Sequence, residues 1–472
     1  MSFLQKYSSI FVSALSILGY FFFAYFLERT QFYTVSFLWF FLFVGFYVLL
    51  KKNSISFASL VGIALLFRLI FLFATPNLSQ DFYRFIWDGR MILNGFNPYL
   101  SLPETFIQQN LQPIAEATTL YEGMGELNGS HYSNYPPLNQ LCFFIAAIFA
   151  SKSVFGSIIV LRSLIILADF GILYFGKKLL ERLDLPIKNI FWYLLNPFII
   201  IEMTGNLHFE PVMLFFLVWA MYKLHQQKWI WSAVLFACSV SVKLIPLLFL
   251  PLFFQWFVNQ NLISTKVAQI RKSTALNSIK TKWSSHSKGI RKLLLFYIVV
   301  LTINALLFLP FYSSEFLANY ANSVRLWFRD FEFNASFYYI FRKIGYLFRG
   351  YNEIAIIGKI TPILTILFLV VLSFFRNNKN GIQLLTAMLF GMCFYYFTAT
   401  TVHPWYIATP LILSVFTKYR FPILWSLVAI VSYQAYANTP WKENLWFVFI
   451  EYLVVFSFLT YEVFRQSKMN KL

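Results

Sequence analysis

Charged and polar side chains cluster in the stretch that directly follows the third apolar segment of the chain. This stretch, residues 79–99, reads SQDFYRFIWDGRMILNGFNPY. On a helix, Asp81, Arg84 and Asp88 would share one face. Seven residues of helix nevertheless span about 10 Å, so both carboxylates cannot touch one reacting atom. The spacing therefore indicates a single working carboxylate rather than a close acid pair.

One carboxylate is sufficient when a group is transferred from a lipid phosphate, because phosphate leaves as a stable anion and needs no proton. A base must then take the proton of the acceptor hydroxyl, and cations must hold the phosphate. Asp81 lies where the chain leaves the apolar segment and is the candidate base. The alternative is an acid favoured by the helix dipole, with Asp88 paired to Arg84 or Arg90. The sequence leaves open whether Asp81 or Asp88 is the base.

A second polar cluster occupies the turn between two later apolar segments, residues 202–210, which reads EMTGNLHFE. Polar groups at such depth are costly and tend to line functional cavities. Asn206, His208 and Glu210 are therefore candidate ligands, although they could equally satisfy one another at the hairpin tip. A metal site built from His208, Glu210 and Asp81 is conceivable, but its spacing matches no established ligand pattern.

Three further positions lie at predicted turns on the same side. Lys243 stands between two short apolar runs, where a lysine beside a helix N-terminus can hold a phosphate or simply snorkel. The turn at His403, followed by Pro-Trp-Tyr, could pack over a sugar or anchor in the aromatic belt. Tyr135, followed by two prolines, starts a helix and could line an acceptor site.

Composition identifies the setting of these residues. Of 472 residues, 59% are apolar and 21% aromatic, while 12% are charged. Soluble domains carry roughly 25% charged residues, so an ordinary soluble enzyme is excluded, as are disordered, collagen-like and disulfide-rich chains. With about 20 residues per span, we expect an all-α polytopic membrane protein with about 12–14 transmembrane helices. The candidate spans are 8–27, 31–50, 55–74, 154–176, 187–203, 208–222, 229–242, 244–258, 293–310, 355–375, 381–399, 404–417, 421–437 and 445–464.

The net charge is +19. Its basic residues cluster in loops as expected on the cytoplasmic side of a membrane protein, so nucleic-acid binding is not expected. All strongly basic loops, including a predicted cytoplasmic loop at 259–292 that would face anionic lipid, fall on one side if both termini are cytoplasmic. This topology requires the short apolar run 136–150 to be an interfacial or re-entrant helix. The long loop 75–135 then lies outside, and loops of that length are usually functional. We expect one integral-membrane domain over 1–472.

Other polar residues within the apolar segments have a structural interpretation. Arg68, Arg162 and Asp169 predict an intramembrane Arg–Asp pair that links the third and fourth spans. The cysteines, which show no paired spacing, indicate neither a disulfide framework nor a zinc site. They are Cys142, Cys238 and Cys393.

Four motifs together resemble the GT-C superfamily of integral-membrane glycosyltransferases, which use polyprenyl-phosphate sugars. The likeness is greatest to the family 87 type and the lipid-linked mannosyltransferases, and it covers roughly residues 60–260. The motifs are Asp81-x-x-Arg84-x-x-x-Asp88-Gly-Arg90 with Asn97-Pro98-Tyr99, Tyr135-Pro136-Pro137-Leu138, Asn196-Pro197 with Gly205-Asn206-x-His208-x-Glu210, and Lys243-x-x-Pro246.

The resemblance implies that the first outer loop carries the catalytic aspartate, matched here by Asp81, and that the tyrosine–proline–proline helix does not cross the membrane. Many relatives have two acids separated by one residue, whereas Phe82 and Tyr83 follow Asp81 here. This difference puts metal dependence in doubt. Two spans precede the catalytic segment, whereas many relatives have one.

Together, the residues and the resemblance predict an inverting glycosyltransferase of the plasma (inner) membrane with its active site on the outer, periplasmic face. It would move a sugar, expected to be mannose, from a polyprenyl-phosphate donor to a glycan or glycolipid acceptor. The alternatives are a flippase or transporter of lipid-linked sugars, and a ligase or polymerase of lipid-pyrophosphate glycans. No cofactor is expected, with a divalent metal as the alternative. The sequence does not fix the sugar, the acceptor, the polyprenol length or the oligomeric state.

The expected roles of the site residues divide into three groups. Asp81 is the catalytic base. The donor phosphate would be held by Lys243, Arg84 and Arg90. The sugar and acceptor would be bound by Asp88, Tyr135, Asn206, His208, Glu210 and His403.

Overall fold

A computed structural model describes residues 3–51, 55–259, 275–329 and 331–469 of the chain. Throughout these ranges the regular elements are helices, and an isolated bridge between Phe333 and Thr401 is the one extended pairing. The predicted all-α class is therefore confirmed. The α-helices are α1 (Phe3–Phe26), α2 (Phe32–Lys51), α3 (Phe57–Ile70), α4 (Asp81–Leu93), α5 (Pro103–Gln108), α6 (Ala117–Gly129), α7 (Pro137–Ala150), α8 (Val154–Arg182), α9 (Phe191–Leu194), α10 (Glu210–His225), α11 (Trp229–Val242), α12 (Ala275–Phe308), α13 (Phe316–Arg329), α14 (Phe337–Arg349), α15 (Ile354–Phe374), α16 (Gly381–Thr398), α17 (Ala408–Val415), α18 (Phe421–Val428) and α19 (Leu445–Met469).

Several helices are long and apolar enough to cross a membrane, so the chain is a multi-pass membrane protein. Among the described residues there are seven, and a bent pair, Ile199–Gly205 with Glu210–His225, would make eight if it counts as one span. The seven are Ser9–Phe26, Phe32–Lys51, Val154–Arg182, His286–Phe311, Ile354–Phe374, Gly381–Thr398 and Leu445–Lys468.

This number is smaller than the 12–14 spans expected, because several apolar segments fold into short or broken helices. The segment predicted at 404–417 forms a 3-10 turn and the eight-residue α17. The segment at 229–242 forms the 14-residue α11 and stops at Lys243, whose backbone is extended. Apolar content alone does not reveal such breaks, since they depend on how the segments pack.

Two elements bear on the predicted topology. Helix α7 has 14 residues. At a rise of about 1.5 Å per residue, a helix of this size is roughly 21 Å long. The hydrocarbon core of a bilayer is about 30 Å thick, so α7 is short for a span and stays a predicted interfacial helix.

Residues 260–274 of the predicted basic loop lie outside the described residues, and from Ala275 the chain is already helical, as the start of α12.

A buried ion pair joins α3 to α8, which confirms the predicted pairing of an arginine with an aspartate between these segments. Arg68 Nε lies 2.8 Å from Asp169 Oδ2, and both side chains are fully buried. The Tyr193 hydroxyl donates to the same carboxylate at 3.2 Å. Arg162 bonds differently, since its guanidinium donates to the backbone carbonyls of Leu72, Ala74, Thr204 and Gly205. Arg162 therefore ties together the two segments that lead into the site.

Removing one partner of this pair is expected to be costly. Arg68→Met leaves Asp169 buried with Tyr193 as its remaining side-chain donor, and should lower the free energy of unfolding by about 3–5 kcal/mol. Replacing both residues, as Arg68→Met with Asp169→Leu, should recover most of this loss. Thermal unfolding in detergent, followed by tryptophan fluorescence, measures both variants. An Arg68→Met protein that unfolds at the wild-type temperature would show that the pair is not needed for stability.

Candidate active site

A cavity of about 640 Å³ lies among the loops and helix ends that carry most of the predicted residues. This volume falls in the range of small-molecule sites, roughly 300–1,000 Å³. Its walls combine the loop after α1, the start of α4, the segment before α7, the turn before α10 and the end of α11. The C-terminal half contributes residues from Tyr395 to Thr409, together with Tyr436 and Trp441. Loops that are distant in sequence therefore meet at one site.

Asp81 is the first residue of α4, and its half-buried side chain lines the cavity. Its backbone N–H donates to Ser79 Oγ at 3.3 Å, and Asn128 Nδ2 donates to Oδ1 at 3.4 Å. Burial raises the pKa of this carboxyl, while the charge of Lys243 and the bond from Asn128 act in the opposite direction. A carboxylate with a raised pKa is a better proton acceptor than an ordinary surface aspartate.

The segment before Asp81 is anchored by two asparagines that do not line the cavity. Asn206 Oδ1 accepts from Leu78 N at 3.0 Å, and Asn206 Nδ2 donates to Ile201 O at 3.1 Å. Asn77 Nδ2 donates to the carbonyls of Phe23 and Leu27, both at 2.8 Å. The predicted substrate ligand Asn206 thus has its amide engaged in holding the chain that presents Asp81.

Lys243 and Glu210 form an ion pair on the cavity wall, between Nζ and Oε1. The Lys243 side chain is 24% exposed, whereas that of Glu210 is 3% exposed, so the lysine is the accessible partner. Glu210 is the first residue of α10, where the helix dipole favours a negative charge. Its second oxygen, Oε2, is buried and has no hydrogen-bond partner among the described residues.

The two predicted histidines both stack on one tryptophan, Trp405. The ring of His208 lies 3.9 Å from that of Trp405, and the ring of His403 lies 4.4 Å away, nearly parallel to it. Burial, with a further contribution from the charge of Lys243, lowers the pKa of His403 to about 3, so this ring is neutral at pH 7. His208, His403 and Trp405 all line the cavity, and the apolar face of a sugar ring can pack against aromatic side chains.

Asp88 faces away from the cavity. Its fully buried carboxylate accepts from Arg84 Nε at 2.8 Å, Ser133 Oγ at 2.5 Å and Gln140 Nε2 at 2.9 Å. Arg84 does line the cavity, although its Nη1 also donates to the carbonyls of Asn128 and His131. In this geometry Asp88 holds the long loop, whereas the sequence predicted it as a substrate ligand.

Arg90 is likewise directed into the loop. Its Nη1 donates to Ala115 O at 2.6 Å, and its Nη2 lies 3.0 Å from Glu116 Oε2. It does not line the cavity, so the geometry does not bring the predicted phosphate ligand Arg90 to Lys243 and Arg84.

Gly89 explains how α4 approaches α7 so closely. A Cβ atom at this position would clash with the carbonyl oxygen of Phe143, well inside any permitted contact. Only glycine therefore fits between Asp88 and Arg90. This close approach packs α4 against the segment that begins at Tyr135. Tyr135 lines the cavity, and its backbone carbonyl accepts a hydrogen bond from the Tyr99 hydroxyl at 2.5 Å.

Several cavity residues carry no motif signal and were missed by sequence reasoning, among them Arg29, Asn128 and Asn139. Arg29 lies in the short loop after α1, donates to Gln80 Oε1 at 2.9 Å and stacks over Tyr436. One signal could have found it. Like Lys243, it is a basic residue on the side of the membrane that the charge pattern assigns to acidic loops.

The donor set does not assemble a metal centre in the part of the chain that the structure describes. No group of three His, Cys, Asp or Glu side chains there is close enough to hold an ion. The set considered from the sequence was Asp81, His208 and Glu210. In the structure Glu210 binds the ammonium of Lys243 instead.

The fold and the cavity define a multi-pass membrane protein with a site of small-molecule size. A family profile described as Alpha-(1->6)-mannopyranosyltransferase, N-terminal domain (MptA_B family) matches residues 19–259, slightly more than half of the chain. The chain belongs to this family and is a mannosyltransferase, which confirms the resemblance to the lipid-linked mannosyltransferases. No curated protein matched the chain. The matched segment includes Asp81, Glu210 and Lys243, whereas His403 lies beyond it.

Proposed function

We propose that this protein transfers a mannosyl group from a polyprenyl-phosphate donor to a hydroxyl of a glycan or glycolipid, with inversion at the anomeric carbon. The observation that carries the proposal is the pairing, in one cavity, of a single half-buried carboxylate, Asp81, with the accessible ammonium of Lys243. One base and one cation are what a direct displacement at a sugar phosphate requires.

In the proposed reaction the acceptor hydroxyl donates a hydrogen bond to Asp81. The hydroxyl oxygen attacks the anomeric carbon from the face opposite the phosphate, and its proton passes to the carboxylate. The bond between the anomeric carbon and the phosphate oxygen breaks, and the polyprenyl phosphate leaves with the electron pair. Lys243, with Arg84 and Arg29 in the same cavity, stabilises the charge that develops on this phosphate.

A lipid donor suits the surroundings of Lys243. Leu244 and Ile245, the residues that follow it, also line the cavity, so an isoprenoid chain can contact apolar side chains while its phosphate meets the ammonium. We propose that the donor enters from the bilayer of the plasma membrane. The basic loops predict that this cavity opens on the outer, periplasmic face.

The reaction is proposed to need no metal. In this proposal the ammonium of Lys243 supplies the cation, and its ion pair with Glu210 supports the placement of Lys243 in the cavity wall. Mannosyl transfer should therefore continue in the presence of a chelator.

The rate of transfer should depend on pH through Asp81. The base works only when ionised, so log(kcat/KM) should fall with a slope of one as the pH drops below the pKa. Because burial raises this pKa, the fall should begin above the usual aspartate value of about 4. Asn128→Ala removes a hydrogen bond that lowers the pKa and should move the acidic limb to higher pH. Identical profiles for wild type and Asn128→Ala would contradict this assignment.

The experiment that tests the function is a transfer assay with two donors. Purified protein in detergent is incubated with labelled polyprenyl-phosphate mannose or with labelled GDP-mannose, each with an oligomannoside and a native glycolipid extract as acceptors. We expect transfer of single mannosyl residues from the polyprenyl donor alone, with or without EDTA. Use of GDP-mannose, loss of transfer in EDTA, or transfer of a preassembled chain would each contradict the proposal. Movement of the lipid across liposomes without transfer would indicate a flippase.

A further inference from the structure

Asn139 lines the cavity, and its side-chain amide has no hydrogen bond within the part of the chain that the structure describes. Asn139 lies in the first turn of α7 and is fully buried. Neither its Oδ1 nor its Nδ2 has a hydrogen-bond partner among the residues that the structure describes. Burying a polar group without a partner costs free energy, so such a group in a native protein needs an explanation.

The other buried asparagines behave differently. Within the described residues these are Asn196, Asn206, Asn334 and Asn378, and each uses at least one amide atom in a hydrogen bond. Asn196, Asn206 and Asn378 each use both amide atoms. Asn139 is the one buried asparagine of this set with both atoms unpaired, and it is also the one that lines the cavity.

The backbone that carries Asn139 is firmly held. Leu138 N donates to Ser241 Oγ at 3.2 Å, and Asn139 N donates to Pro136 O at 3.0 Å. On the next residue, Gln140 Nε2 donates to Asp88 at 2.9 Å. The first turn of α7 is thus bonded to α4 and to α11, while the Asn139 amide between these contacts has no partner among the described side chains and backbone groups. A rigid support for an unsatisfied polar group is the arrangement expected of a binding site.

The location and chemistry of the amide indicate its ligand. Ser241, which holds α7, precedes by two residues the Lys243 that is proposed to hold the donor phosphate. An uncharged amide offers one acceptor and two donor hydrogens, and this combination matches a sugar hydroxyl, or two neighbouring ones, rather than a phosphate.

We infer that Asn139 binds a hydroxyl group of the donor sugar and contributes to the choice of that sugar. The inference rests on the proposed function. Binding would satisfy the amide and would set the orientation of the hexose while Lys243 holds the phosphate. A donor that lacks the matching hydroxyl would leave the amide buried and unpaired, which is how a polar site rejects an analogue.

The test combines Asn139→Leu with a panel of monodeoxy-mannose polyprenyl phosphates. Leucine has nearly the shape of asparagine and no polar atom. In the wild type, one or two deoxy donors should show kcat/KM reduced about tenfold, as expected for a lost hydrogen bond. In Asn139→Leu, kcat/KM for the natural donor should fall by a similar factor. The natural donor and those deoxy donors should then have similar kcat/KM values. Thermal stability should stay at or above the wild-type value, because an unsatisfied polar group has been removed.

The matched control is Asn378→Leu, which removes a buried asparagine whose two amide atoms are bonded far from the cavity. It should lower the unfolding temperature and leave the discrimination among deoxy donors unchanged. If Asn139→Leu discriminates among the deoxy donors as the wild type does, or is destabilised like Asn378→Leu, the inference is overturned. Absence of transfer by the wild type would instead overturn the proposed function, and the inference with it.

Discussion

Asp81→Asn should reduce kcat for mannosyl transfer by about 10²–10⁴-fold, the usual contribution of a general base. Asparagine keeps the shape of the side chain but cannot accept the proton of the acceptor hydroxyl. Among the described side chains, the carboxylate has a single long hydrogen bond, from Asn128, so its loss should change the fold little. The measurement is single-turnover transfer from polyprenyl-phosphate mannose, with donor binding and the thermal unfolding temperature recorded on the same preparation.

Asp88→Asn is the matched control, because it removes the other carboxylate of α4. Asp88 accepts hydrogen bonds from Arg84, Ser133 and Gln140 in a fully buried environment. Its neutralisation leaves the Arg84 guanidinium without its ion pair, so the main effect should be a lower unfolding temperature. Full activity in Asp81→Asn, or a stable Asp88→Asn protein without activity, would show that the base has been assigned to the wrong carboxylate.

Lys243→Met should lower kcat/KM for the donor by about 10²–10³-fold, a loss typical of one group that stabilises developing charge. Lys243 is the accessible member of its ion pair, and its charge lies in the cavity with Asp81. Methionine retains the length of the apolar stem and removes the ammonium. Steady-state kinetics with varied donor and saturating acceptor measure the effect.

The same substitution also leaves Glu210 as a buried carboxylate without its counter-ion, so stability should fall as well. The double variant Lys243→Met with Glu210→Gln separates the two effects. In the double variant the unfolding temperature should return to near the wild-type value, whereas kcat/KM should stay low. Recovery of activity in the double variant would mean that Lys243 acts by neutralising Glu210 and does not contact the phosphate.

Much of the fold and part of the site could be predicted from local sequence signals. Apolar content predicts an all-α membrane protein. An arginine and an aspartate placed inside apolar segments predict the Arg68–Asp169 pair, since a buried charge needs a partner. Basic or acidic residues at predicted turns indicated Asp81, Glu210 and Lys243, and the structure brings all three to one cavity.

Other features depend on packing between distant segments and could not be read from the sequence. Helical periodicity places Asp81 and Asp88 on a similar face. Gly89, however, allows α4 to approach Phe143 of α7 closely, and Gln140 of α7 then bonds to the buried carboxylate of Asp88. The cavity role of Arg29 arises because the loop after α1 folds against Gln80. The basic charge of Arg29 on the side assigned to acidic loops is a sequence signal, but that signal does not predict the contact with Gln80.

A direct displacement assisted by one carboxylate determines the stereochemistry of the product, which can be measured. Polyprenyl-phosphate mannose of known anomeric configuration is supplied to the purified protein, and the configuration of the new glycosidic bond is determined by NMR. We expect the opposite configuration in the product, because the acceptor attacks from the face opposite the phosphate. Retention of configuration would contradict it, since retention requires a second displacement through a carboxylate nucleophile or an equivalent intermediate.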